Sequence, residues 1–257
     1  MVSEQNLTRE FIAVLSGHGR RYVAVLWAYL DESGTHKGAP VLNVAGYLGS
    51  EQEWHKFEKE WSPKLKKANV PYFHATDPDC SSLKLPLASA ITKRVLQGVI
   101  CSVNTNEYNL HASHQFKSVL GNAYATCAYG CALKFGKLAC GVNKKVSIVL
   151  EAGQKNIDHV ERVLKIMMNN PDFCIAGVMR AIKEDFVPLQ TADFLAHSVE
   201  NDRAWFDYLN EFGNVMHARP NPKELIEMSI EIKKLYMKQR ILKERSKREQ
   251  KANLSKP

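Results

Sequence analysis

Residues 22–30, Tyr-Val-Ala-Val-Leu-Trp-Ala-Tyr-Leu, form an almost uninterrupted apolar run that is cut off by Asp31-Glu32-Ser33-Gly34. A strand this apolar has both faces covered, so the chain needs helices on both sides of a sheet. The run is about half the length that a helix needs to span a bilayer. No membrane partner is therefore expected. The N-terminus, Met1-Val-Ser-Glu, has an early acid and no basic stretch ahead of apolar residues, which argues against a secretory signal. A cytoplasmic location is the expectation.

The rest of the chain alternates strand and helix signals. Residues 41–48 read as a second strand, hairpin-paired with the first. Ser50 and Glu53 then form a capping-box pattern ahead of Trp54, Phe57 and Trp61 at helical spacing. Pro63 is expected to interrupt or end that helix. Residues 70–74 read as a short strand, 87–96 as a helix, 99–103 as a strand and 119–139 as a buried helix. A buried strand over 145–150 ends in Glu151, a helix covers 157–168, a strand covers 174–179, and a helix starts near Pro188. Pro222 opens a long helix whose residues Leu225, Met228, Ile232, Leu235 and Leu242 fall at three- and four-residue steps. Its first half can dock on the body, a second copy or a partner protein, and beyond Leu242 the polar chain is expected to fray. Early strands followed by alternating helices and strands imply one mixed-sheet α/β domain.

Charge separates the ends of the chain. The 257 residues hold 35 Lys and Arg against 27 Asp and Glu, a net charge of +8. Residues 233–257 carry ten basic and two acidic side chains, so the whole excess lies in this tail. A neutral body with a basic arm suits contact with phosphates, and Lys243, Arg245, Lys247, Arg248 and Lys251 are the expected nucleic-acid contacts. The six cysteines show no C-x-x-C spacing, so they are expected to be small buried hydrophobes in a reducing compartment.

Three acids stand where α/β folds gather ligands. Asp31 and Glu151 end buried strands, and Asp193 lies on the helix Val187-Pro-Leu-Gln-Thr-Ala-Asp-Phe-Leu-Ala-His197 among apolar neighbours. Gln190, three residues before it, and His197, four after it, share its face. Each acid taken singly reads as a cap. Together, inward carboxylates repel unless a cation neutralises them, and oxygen ligands suit Mg²⁺ or Mn²⁺. Such ions support in-line displacement at a phosphodiester. His74 and Asp77, in Phe73-His-Ala-Thr-Asp77, are secondary candidates, His74 as a general base or a ligand.

The segments Tyr29-Leu-Asp-Glu-Ser-Gly34, Phe73-His-Ala-Thr-Asp77 and Leu189-Gln-Thr-Ala-Asp-Phe-Leu-Ala196 resemble the signatures of a bacterial family, domain-of-unknown-function family three thousand eight hundred. The resemblance covers about residues 23–205. It implies a ribonuclease H-like mixed β-sheet flanked by helices over 21–215, after an N-terminal extension at 1–20 and before a C-terminal helix with a basic tail at 222–257. It also implies that Asp31, Glu151 and Asp193 take the first-strand, fourth-strand and late-helix carboxylate positions of a two-metal nuclease. Glu151 departs from the pattern, since Asp is common at that position. The metal set implied is Asp31, Glu32, Glu151 and Asp193, with His74 beside the catalytic acids and Ser33, Asp77, Gln190 and His197 toward substrate. The expected function is a metal-dependent nuclease or related phosphoryl-transfer enzyme acting on DNA or RNA. The alternative is a non-catalytic interaction or nucleic-acid-binding module of a defence or mobile-element system, with a homo-oligomer or partner contact through the C-terminal helix.

Overall fold

The computed structural model describes residues 25–36, 38–112 and 114–254. The N-terminal extension expected over 1–20 lies outside them. Strand β1 spans Val25–Ser33 and β2 spans Val41–Ser50, paired antiparallel as the expected hairpin. Gly34 turns the chain with φ 81°, where any Cβ would collide with the carbonyl of Val41. The first strand does not stop at Leu30. Asp31, Glu32 and Ser33 continue the ladder opposite Ala45, Val44 and Asn43, so the acids belong to the end of the strand and not to a turn after it.

Helix α1, Glu51–Ala68, begins where Ser50 Oγ accepts the Glu53 N–H at 3.3 Å. The Glu53 carboxylate serves Lys56 and the Val95 N–H, so only one half of the capping box is realised. Pro63 does not end α1. It is exposed, as is Lys59, the residue whose carbonyl a proline at this position leaves without its helical partner. Meanwhile Trp54, Phe57, Trp61 and Leu65 bury one face of α1, at about 1.5–3 kcal/mol each, which outweighs a proline cost of about 3 kcal/mol.

The expected strand at 70–74 is a loop. Its backbone donors form no ladder: the Val70 N–H goes to the Leu65 carbonyl and the Phe73 N–H to Gln190, while just beyond it the Ala75 N–H goes to Asp193. A 3-10 turn at Pro78–Leu83 leads into α2, Lys84–Thr92, which ends before the expected 96. Then follow β3 (Gln97–Asn104), α3 (Thr105–His111), α4 (His114–Leu120), α5 (Ala123–Gly141), β4 (Lys145–Glu151), α6 (Ile157–Met168), β5 (Ile175–Ala181), α7 (Leu189–Asn201), α8 (Arg203–Phe212), β6 (Val215–Ala218) and α9 (Pro222–Leu254). The backbone of α9 stays helical past Leu242, where fraying was expected. Among the described residues, no helix is long and apolar enough to cross a membrane.

The sheet order is β5-β4-β1-β2-β3-β6. The antiparallel meander β1-β2-β3 is extended on one side by β4 and β5, both parallel to β1. Strand parity divides the molecule into two cores. Ala28, Leu30, Ile148 and Leu150 face α5 and α6, while Trp27, Tyr29 and Val149 face α1, α7 and α8. This is the mixed β-sheet flanked by helices, with a long C-terminal helix, that the sequence led us to expect.

Two of the six cysteines are not the buried free thiols expected. Cys140, near the end of α5, and Cys174, just before β5, form a disulfide, whereas Cys80, Cys101, Cys127 and Cys131 are free and buried. These two ends lie side by side with Cα atoms 5.7 Å apart, a separation that the sequence spacing does not reveal.

Candidate active site

Parity places the acids. Asp31 continues the Trp27–Tyr29 face, and Glu151 continues the Val149 face of the neighbouring parallel strand. Both carboxylates therefore rise from the carboxyl ends of β1 and β4 toward α7. That helix lies over β1 and β2 with Ala192 and Ala196 fully buried, and this close approach brings Asp193 down to the same point. Asp31, Glu151 and Asp193 are all buried.

They meet around a group that the sequence reasoning missed. Lys183 Nζ lies 3.5 Å from Asp31 Oδ2, 2.9 Å from Glu151 Oε1 and 3.5 Å from Asp193 Oδ2. Lys183 stands two residues past Ala181, the last residue of β5, which pairs with Glu151. Continuing the strand's alternation for two residues aims its side chain to the acid face. That was the available signal. Three carboxylates in a low-dielectric pocket also demand a positive partner.

The loop at 73–77 closes the site. His74 Nδ1 is 3.1 Å from Asp193 Oδ2, which also accepts the Ala75 N–H at 2.9 Å. The other ring nitrogen, Nε2, lies 3.3 Å from Thr76 Oγ1, and the His74 side chain is 44% exposed. His74 is thus a titratable group joined to the cluster that also reaches solvent.

Gln190 does not point to substrate, as expected from its shared face with Asp193. It is fully buried, and its Oε1 accepts Trp61 Nε1–H at 2.8 Å and Phe73 N–H at 3.1 Å. Its Nε2 donates to the Lys183 carbonyl at 3.1 Å. All of its bonding capacity in these three directions fixes α1, the His74 loop and the Lys183 backbone relative to each other. Gln190 is a positioning residue.

The remaining expected residues scatter. Glu32 follows Asp31 in the strand and so faces the opposite side, toward Tyr124 of α5, apart from the trio. Asp77 is exposed and caps the 3-10 turn by accepting the Asp79 N–H at 2.9 Å. Ser33 is half-buried at the end of β1. His197 is half-buried, within electrostatic reach of Asp193, Asp202, Lys84 and His74. Arg245 is exposed on α9, and the side chains of Lys243, Lys247, Arg248 and Lys251 lie outside the described residues.

The electrostatics are those of a crowded acid pocket. Burial pushes the Asp31 carboxyl well above its ordinary range, with Glu151 and Glu32 adding to the rise and Lys183 opposing it. Burial likewise carries Glu32 up to about 8, although the Tyr124 hydroxyl and Lys183 pull it back. Tyr124 lies beside Glu32 without completing a hydrogen bond, and neither Glu32 carboxylate oxygen has a hydrogen-bond partner among the described residues. Asp193 moves the other way. Burial raises it, but the His74 hydrogen bond, the Lys183 charge and the Ala75 N–H together bring it below the usual carboxylate value. His74 is raised, first by that bond to Asp193. Lys183 is raised too, because three carboxylates overcome the burial that favours its neutral form.

The donor chemistry suits a hard divalent cation. Three carboxylates converge at one end of the sheet on one ammonium, and on the other face the Glu32 oxygens are buried without partners among the described residues. Among the described residues, however, no three His, Cys, Asp or Glu side chains stand as a ready-made cage, since Lys183 holds the point where the trio converges.

No family model matches the chain, and a search of curated proteins finds no match. Among solved structures, Bst ribonuclease HIII in complex with Mn²⁺ is similar, at 13% identity and a TM-score of 0.44. The alignment covers 73% of this chain and 54% of that one, so the chain spans about half the length of that protein.

Proposed function

We propose that this protein is a divalent-cation-dependent phosphodiesterase acting on nucleic acid, a nuclease in the broad sense, and a member of the family its D-E-S-G and L-Q-x-A-D segments resemble. The observation that supports this most is the convergence of Asp31, Glu151 and Asp193 within 2.9–3.5 Å of one positive atom at the carboxyl ends of adjacent parallel strands. Asp31, Glu151 and Asp193 would hold Mg²⁺ or Mn²⁺. Such an ion polarises a phosphodiester and lowers the pKa of water.

The chain's own groups supply the rest. Asp193 holds His74 through Nδ1 and leaves Nε2 on the exposed side, where it is placed to carry a proton to or from a phosphate ester oxygen. The raised pKa of His74 favours its protonated form, suited to the leaving oxygen. Gln190 keeps the His74 loop and Lys183 in register. Exposed Lys234, Lys238, Arg240 and Arg245 on α9 provide sequence-independent attraction for phosphates.

A second reading is a non-catalytic module in which the acids are structural. The Lys183 contacts to all three carboxylates favour it, because a cluster already neutralised in part needs less from an ion. One experiment separates the two: incubation of generic single- and double-stranded DNA and RNA with Mg²⁺ or Mn²⁺, comparing wild type with Asp31→Asn and Asp193→Asn. Cleavage lost in both variants supports the enzyme. Equal behaviour of all three proteins removes it.

A further inference from the structure

We propose that Lys183 is a resident cation that takes the place of one metal ion, so that the site binds one fewer divalent cation than its carboxylates would otherwise support. This rests on the cation-dependent reading above. The ammonium is not a surface charge that happens to lie nearby. Lys183 is 7% exposed, and its backbone carbonyl is held by Gln190, which is itself anchored to Trp61 and Phe73. Its three acid partners come from β1, β4 and α7, which are the same three groups that an ion bridging the cluster would need.

Space and charge give the same answer. Paired ions in phosphoryl-transfer sites lie about 3.5–4 Å apart and share carboxylates. An ammonium within 3.5 Å of an oxygen from each of the three acids fills the volume that one such ion would take. Asp31, Glu151 and Asp193 bring three formal negative charges against one from Lys183. The remaining two suit one divalent cation, whereas two ions would leave the buried cluster positive. In this arrangement the lysine also holds the acids together before any ion arrives, because it offsets repulsion that would otherwise spread them apart.

The test is Lys183→Met, which keeps an unbranched stem and removes the charge, with Mn²⁺ stoichiometry read by electron paramagnetic resonance. Thermal melting in EDTA and in Mn²⁺ provides a second readout. The expected result is one more bound Mn²⁺ per chain in the variant than in wild type. Its melting temperature should fall by roughly 6–20 °C in EDTA and recover largely in Mn²⁺. A rise from one ion to two supports both this assignment and the enzyme reading. A rise from none to one supports the lysine's role and removes the enzyme reading for the wild-type chain. No gain overturns the assignment, and the wild-type stoichiometry then shows by itself whether the site takes a metal. Should Lys183→Met not fold, the wild type with ¹⁵N-labelled lysine still decides. An ammonium signal protected from exchange should persist in excess Mg²⁺, and its loss on adding Mg²⁺ would overturn the proposal.

Discussion

Replacing Glu32 with Gln should flatten the pH dependence of stability in metal-free buffer. The Glu32 carboxyl oxygens are buried without a hydrogen-bond partner among the described residues, and burial, with the Glu151 charge adding to it, carries the folded pKa to about 8 against an ordinary value of 4.5. The folded state therefore binds this proton more tightly than the unfolded chain does. Stability from this group is fully present below about pH 4.5 and is lost as pH rises through 8. Within that window the loss is about 1.4 kcal/mol per pH unit, so moving from about pH 5.5 to 7.5 costs about 2–3 kcal/mol. Gln carries no such proton. Urea denaturation of wild type and Glu32→Gln in EDTA across this range should show the wild type falling away from the variant by about that amount, leaving the variant more stable at the upper end. Parallel profiles, or a variant that is less stable near pH 7.5, would refute the claim that Glu32 is a charged group held where charge is unfavourable.

Gln190→Ala should cost about 2–4 kcal/mol, because it leaves Trp61 Nε1–H and Phe73 N–H buried without acceptors; denaturant midpoints measure this, and a loss under about 1 kcal/mol would contradict the clamp. Reducing the Cys140–Cys174 disulfide, which closes a loop of sequence separation 34, should lower stability by about 2–4 kcal/mol, read by melting with and without reductant. Changing Lys243, Arg245, Lys247, Arg248 and Lys251 to Gln should weaken nucleic-acid binding about equally for unrelated sequences. The salt dependence of affinity should drop by up to about 0.7–0.9 in logarithmic slope for each contact removed. An unchanged slope would show that the tail does not touch phosphates.

The acids were legible because strand ends and helix spacing are local properties. Asp31 and Glu151 each close an apolar run, and Asp193 lies among residues that must face the sheet. The two-residue alternation of β1 also separates Asp31 from Glu32, a distinction that the sequence carries once the strand is known to run to Ser33. Lys183 was not legible in the same way. A lysine in a Lys-Glu-Asp stretch between a strand and a helix reads as solvated, and only the pairing of Ala181 with Glu151 shows where its side chain is aimed. Gln190 was placed on the right face, but its role depends on Trp61 and Phe73, more than a hundred residues away. The strand expected at 70–74 failed for a related reason: the Phe73 N–H goes to the Gln190 side chain of α7, a tertiary choice that local apolar patterning does not encode.

The arrangement stands or falls on whether these oxygens hold a divalent cation. The most direct measurement is a Mn²⁺ titration of the full chain, wild type against the triple variant Asp31→Asn, Glu151→Gln, Asp193→Asn, with free Mn²⁺ read by electron paramagnetic resonance. Saturable binding in the wild type that disappears in the folded variant is the expected result. A wild type that leaves Mn²⁺ free, or a variant that binds it equally well, would contradict it.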